Sequence, residues 1–194
     1  MNYYSLCHEY LIDGFTDGNV KFSPALEDHY QTGRDFCFSN TSVSLIMDKK
    51  VKRLTSDFFL TTCGAFFMSE EMKEVVDDCK NQLVFIPAET KYFNGEITEK
   101  KYYFIHDSRK ISCFDYFQSE YSGKALTIKN KQSGVLAKDH RVRGVKKFVV
   151  DASSSEGLDF LFVNNVIWID PVVSELLVEK VKKHKLLVRF EPIG

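Results

Sequence analysis

Two stretches decide how this chain reads. The first is Phe66-Phe67-Met68-Ser69-Glu70-Glu71-Met72-Lys73-Glu74-Val75-Val76-Asp77-Asp78-Cys79-Lys80-Asn81-Gln82-Leu83-Val84-Phe85-Ile86-Pro87. The second runs from Pro171 through Val173-Ser174-Glu175-Leu176-Leu177 to Phe190-Glu191-Pro192. Aligned without a gap they lie 105 positions apart, which matches Ser69 with Ser174, Glu70 with Glu175, Met72 with Leu177, Val76 with Val181, Phe85 with Phe190 and Pro87 with Pro192. Each copy reads as strand, capped helix, strand. A Ser hydroxyl can accept a free N–H of the first helical turn, and the acidic residues after it suit the positive end of the helix dipole. Met72, Val75, Val76 and Cys79 fall at i, i+3, i+4 and i+7, one apolar stripe. Pro87 and Pro192 cannot donate to a ladder and are expected to stop the strands that precede them.

Around these units the chain reads mostly as strand. Asn2 to Ile12 alternates loosely toward the Asp13-Gly14 turn signal, and Asp17-Gly18 allows a hairpin. A helical turn is expected near Ala25 to Tyr30, a short strand at Phe36-Cys37-Phe38 and extended chain over 55–60. Lys101 to His106 is a strand by its aromatic and β-branched content. Residues 111–117 and 146–150 read as extended. Leu158 to Val163 and Val166 to Ile169 read as a hairpin with Asn164-Asn165 at its tip. Together these predict an α+β fold, mainly antiparallel sheet with a few short helices and two strand-helix-strand pseudo-repeats. The length of 194 residues suits a single domain, with candidate halves 1–121 and 146–194 joined by a basic irregular segment, 122–145.

Composition excludes more than it selects. The formal net charge is -1, so no global field draws the protein toward nucleic acid or an anionic membrane, and charge-led recognition has to be local. Five scattered cysteines with no apolar leader ahead of them fit a reduced, cytoplasmic protein. No apolar run approaches the roughly 18 residues of a membrane span. Neither C-x-x-C nor H-E-x-x-H occurs, and the five histidines are isolated, so no metal or cofactor is implied. Nucleophile elbows, Walker loops and dinucleotide fingerprints are absent as well. Cys7 and His8 are strand neighbours that point to opposite faces. That leaves His106-Asp107 as an acid–base candidate, better read as a polar pair closing a turn. The basic run Lys138 to Lys147 could grip phosphates, but it lacks aromatic interleaving and reads better as a solvated loop.

The helix faces carry the local charge. The first displays Glu70, Glu71, Glu74, Asp77 and Asp78, and the second Lys180, Lys182, Lys183 and Lys185. Phe67 to Met72 leading to Phe85-Ile86-Pro87, Tyr102 to Ile105 with Ile111 to Asp115 and Ser119-Glu120-Tyr121, and the C-terminal Val173-Ser174-Glu175 to Phe190-Glu191-Pro192 together resemble a known group. They look like the immunity proteins of bacterial polymorphic toxin systems, closest to the immunity-protein-43 type and its relatives in the DUF1629 group. The resemblance implies a non-enzymatic protein that binds and neutralises a cognate toxin domain by stoichiometric inhibition, with no cofactor and no catalytic residue. The acidic face Glu70, Glu71, Glu74, Asp77 and Asp78 is then the expected partner contact. The rival readings are a nucleic-acid-binding module using 138–147 and a small enzyme using His106 and Asp107.

Overall fold

The structure, a computed structural model, describes residues 2–8, 16–26 and 32–194. The expected turn at Asp13-Gly14 and most of the expected helical turn at 25–30 lie outside the described residues. In chain order the elements are β1 (Tyr3–Cys7), β2 (Gly18–Ser23), β3 (Ser42–Met47), β4 (Phe58–Leu60), β5 (Phe66–Ser69), α1 (Glu70–Asp77), β6 (Val84–Lys91) and β7 (Tyr102–His106). There follow α2 (Lys124–Gln132), β8 (Phe160–Leu161), β9 (Val172–Ser174), α3 (Glu175–Lys183) and β10 (Arg189–Ile193). One sheet has the order β10-β1-β9-β8 and the other β2-β3-β6-β7-β5-β4. Among the paired strands of the described residues only β3–β6 is parallel, so the fold is α+β with mainly antiparallel sheet, as the patterning predicts.

Both pseudo-repeats are present as β5-α1-β6 and β9-α3-β10. Ser69 Oγ accepts from Met72 N, and Ser174 Oγ accepts from Leu177 N. Met72, Val75 and Val76 are buried on α1, as are Leu177, Val178 and Val181 on α3. The likeness goes further than the two aligned stretches. The four-strand order β4-β5-β7-β6 reappears as β8-β9-β1-β10, with the N-terminal strand β1 standing where β7 stands in the first unit. Ser69 faces Tyr102 while Ser174 faces Tyr3, and Pro87 faces Tyr103 while Pro192 faces Tyr4. The second unit is therefore closed by the opposite end of the chain. Its sequence trace is the Tyr-Tyr pair that opens both β1 and β7.

Two buried aspartates brace the units to each other. Ser69 Oγ donates to Asp57 Oδ1 at 2.6 Å, and Ser174 Oγ donates to Asp159 Oδ1 at 2.5 Å. Each second carboxylate oxygen reaches into the opposite unit. Leu187 N, in the loop after α3, donates to Asp57 Oδ2 at 2.6 Å, and Lys80 N, in the loop after α1, donates to Asp159 Oδ2 at 2.9 Å. The backbones repeat the exchange, Asp57 N to Leu187 O and Asp159 N to Lys80 O. Asp57 also receives the Lys100 ammonium at 2.5 Å. Charge-assisted donors of this kind are what make a buried carboxylate tolerable.

The apolar core follows the same plan. Leu6, Phe58, Phe66, Met68, Met72, Val76 and Ile105 form one cluster with Phe160, Phe162, Val173, Leu177 and Val181, so both helix stripes and both sheets share it. Phe58 lies 5.6 Å from Phe66 and 6.4 Å from Phe160, centroid to centroid. A second cluster fills β2–β3 and β6–β7 around Leu45, Phe59, Phe67 and Phe104. A third, around Tyr3, Cys113, Phe114, Phe148 and Leu161, sits beneath the long connection between β7 and β8.

Several local expectations are corrected. Pro87 does not stop its strand, because the β3 register begins only at Ala88 and β6 at Pro87 has a neighbour on one side, where a missing donor is tolerated. Pro192 lies within an edge strand for the same reason. The hairpin over 158–169 does not form: Phe160 and Leu161 pair with β9, Val163 bridges to Ile111 and Val166 to Val142. Phe36-Cys37-Phe38 is not a strand, and its rings pack on His106 instead. Residues 111–117 and 146–150 carry isolated bridges only. The basic segment 122–145 is not irregular throughout, since it holds α2, framed by Gly123 and Gly134 at positive φ and with Lys129 and Lys131 in the last turn, where the dipole favours cations.

If the aspartates hold the units together, Asp57→Ala and Asp159→Ala will each destabilise the protein by about 3–5 kcal/mol in urea unfolding, the range for removing one partner of a buried charge network. Ser69→Ala and Ser174→Ala, which lose a cap, should cost about 1 kcal/mol. Aspartate variants no weaker than the serine ones would show that the brace is not needed.

Candidate functional site

The sequence-predicted contact residues lie along α1, which is fixed at its start by the Ser69 cap and below by its buried stripe. The five carboxylates do not form one set. Glu70 is half-buried, takes the Lys101 ammonium at 3.2 Å and accepts from the Tyr103 hydroxyl at 3.4 Å, so it ties the helix start to β7. Glu71, Glu74, Asp77 and Asp78 are exposed. Asp77 is paired with Lys73 one turn earlier, and Lys73 in turn lies over the rings of Phe85 and Tyr103 at 5.0 and 5.5 Å.

Position along the helix separates these carboxylates further. Glu70 and Glu71 sit in the first turn, where the dipole stabilises negative charge. Asp77 and Asp78 sit at the C-terminal end, where it opposes them, and the last turn holds no basic residue. In α3 the last turn holds Lys180, Lys182 and Lys183, which the dipole favours. The basic face of α3 thus has a local structural reason, whereas the acids at the end of α1 stand where their own helix dipole opposes them, offset by Lys73 beside Asp77 and by Lys180 of α3, whose ammonium donates to Asp78 O at 2.8 Å.

The rival sites are dismantled by their surroundings. His106 is 1% exposed, its Nε2 donates to Arg34 O at 2.7 Å, and Phe36 and Phe38 enclose the ring. That leaves Nδ1 buried without a partner among the described residues, and burial holds the imidazole below its usual pKa. Asp107 does not touch it. The Asp107 carboxylate accepts from Arg109 N at 2.9 Å and closes the turn after β7, while burial pushes its pKa up to about 6. In the basic run 138–147, Lys138, Arg141, Arg143, Lys146 and Lys147 are exposed, but Val142 is buried and Phe148 packs between Phe114 and Trp168, so no ring is offered for stacking. Among the described residues no His, Cys, Asp and Glu group could hold a metal ion.

Sequence reasoning missed the apolar side chains left outside. Phe93 and Ile97 are 68% and 72% exposed at the turn between β6 and β7. Nothing but the Asn94-Gly95 turn signal marked them.

What the described residues present is a braced scaffold with charged outer faces and no assembled reactive group. The chain matches the model of the Immunity protein family (Imm11) over residues 16–192, and it belongs to that family. Membership makes it an immunity protein of the kind found in polymorphic toxin systems and implies a cognate toxin as partner; the family is generally non-enzymatic. No curated protein matches the chain. No helix among the described residues is long and apolar enough to cross a membrane.

The buried Asp107 sets a pH signature. Its folded pKa lies above its unfolded value near 3.8, so the folded state holds the extra proton between about pH 4 and 6, and stability from this group is lost as pH rises through that window. Asp107→Asn keeps an acceptor for Arg109 N and removes the ionisation. Relative to the parent it should gain stability by about 2–3 kcal/mol between pH 4 and pH 7.5, at roughly 1.4 kcal/mol per unit. An effect equal at both pH values in denaturant titrations would contradict this.

Proposed function

We propose that the protein neutralises its cognate toxin by stoichiometric binding, and that the outer face of α1, formed by Glu71, Glu74, Asp77 and Asp78, is the contact. The observation that supports this most is the placement of Asp77 and Asp78 at the helix end whose dipole opposes them. Side chains that cost local stability are what a recognition surface is expected to retain. The face is rigid, since the Ser69 cap, the buried stripe and the Lys80–Asp159 bonds fix the helix at both ends. A rigid acidic face fits a basic surface on the toxin, and a basic surface is what a toxin acting on nucleic acid would carry. Glu70, engaged by Lys101 and Tyr103, acts as support for the face and not as a direct contact.

This reading separates affinity from stability. Asp77→Lys and Asp78→Lys should leave the protein within about 1 kcal/mol of the parent, because the gain at the helix dipole is offset by the lost Lys73 pair at Asp77 and by the Lys180 ammonium next to Asp78. The fourfold reversal of Glu71, Glu74, Asp77 and Asp78 should weaken binding of the cognate toxin domain at least 100-fold and flatten its salt dependence. Unchanged affinity would reject the helix face. If Phe93→Ala then lowered affinity instead, the contact would lie at the β6–β7 turn.

A further inference from the structure

A second charged feature lies apart from the helix face. Thr32, Gly33 and Arg34 meet Ser108, Arg109 and Lys110, with Arg141 and residues 163–166 completing a cleft of about 360 Å³. Three segments distant in sequence thus bring four cationic side chains to one concave surface. Its size falls at the small end of the usual range for ligand sites, roughly 300–1,000 Å³.

Among the described residues, two carboxylates near the cleft, Glu156 and Asp107, are already committed. Glu156 takes Arg109 through two bonds of 3.1 and 2.6 Å, and Gln82 holds the same guanidinium at 3.2 Å. Asp107, 1% exposed, is turned into its own turn and accepts from Arg109 N. Arg34 has its own interactions. Lys110 and Arg141 are different: among the described residues neither side chain makes an ion pair or a hydrogen bond. Lys110 is also half-buried, its stem against Gly33, and burial together with the nearby Arg141 holds its ammonium below the usual pKa, with only Asp107 favouring its charge. A partly buried cation beside a second cation, with no ion-pair partner among the described residues, is a costly arrangement that an anion would relieve.

We propose that this cleft binds a phosphate dianion, free or as a monoester, between Lys110 and Arg141. Two unpaired cations match a charge of -2, whereas a single carboxylate would leave one of them uncompensated. The Thr32 and Ser108 hydroxyls on the lining add neutral donors suited to a ligand with several acceptor oxygens. Among the described residues no aromatic side chain lines the cleft, so none of them offers a ring for a stacked base.

The test uses the full chain without toxin, so its result is independent of the helix-face contact. Inorganic phosphate, titrated at pH 7.5 against sodium chloride of equal ionic strength, should raise the melting temperature saturably and give a binding isotherm. Lys110→Met, which keeps the stem beside Gly33, and Arg141→Gln, at an exposed position, should each weaken binding at least tenfold. Glucose 6-phosphate binding more tightly than phosphate would identify an ester as the ligand, and weaker binding would identify free phosphate. The proposal fails if phosphate acts no differently from chloride, if neither variant changes the isotherm, or if a glutamate-rich peptide binds while phosphate does not.

Discussion

The bond from a strand-end aspartate to a helix-capping serine is the interaction on which the rest of this structure depends. It occurs twice, at Asp57–Ser69 and Asp159–Ser174, and each time one carboxylate does three things. It orients the hydroxyl that caps the helix, it locks the short strand that follows it against the strand that enters the helix, and it accepts a backbone N–H from the opposite unit. A carboxylate with no partners would be intolerable at such depth, so the local fold of each unit and the joining of the two are linked through the same buried charge. The shared apolar cluster supplies bulk attraction, but attraction without direction would allow the helices to slide. The aspartates supply the register.

That linkage also explains what the sequence could and could not show. Helix caps and stripes are local: Ser69 with Met72, or Ser174 with Leu177, can be read from spacing alone because the partners are three residues apart. Strand order is not local. Nothing near Tyr3 announces that β1 will lie between β9 and β10 rather than beside β2, and the Tyr-Tyr signature it shares with β7 is two residues long. The bracing aspartates were legible only as residues preceding short apolar strands, since their partners in the other unit, Leu187 and Lys80, contribute backbone atoms that carry no sequence signal. The false hairpin over 158–169 has the same origin. Its two arms and the Asn164-Asn165 turn have the right composition, yet β9 and the chain near Ile111 and Val142 compete for the same edges and win through burial.

The candidate contact residues were legible as a list and not as a set of roles. Periodicity places Glu70, Glu71, Glu74, Asp77 and Asp78 outside the buried stripe, but it cannot see Lys101 and Tyr103 arriving from β7 to claim Glu70. The structure divides the five into one support and four exposed carboxylates, of which Asp77 is paired with Lys73, and the dipole divides the four again. This is why charge on a helix needs its position stated before it is used as a clue. The lysines of α3 look as suggestive as the acids of α1 when counted, yet they stand where any stable helix would place them.

A net charge of -1 conceals how unevenly the charge is spread. The acidic end of α1 and the cationic cleft around Lys110 and Arg141 cancel in the sum while each keeps its own sign, only partly offset by Lys73 at Asp77 and by Glu156 at Arg109. Screening acts over about 8–10 Å at physiological ionic strength, so surface regions separated by more than that behave as independent fields and not as one neutral molecule. A protein built to recognise another gains from this arrangement. Overall neutrality limits non-specific attraction to nucleic acid and membranes, and the local fields keep their strength for a matching surface. The two braced units make that possible mechanically, because charges held on a fixed scaffold keep their geometry when a partner approaches, and the ordering cost of binding is met largely during folding.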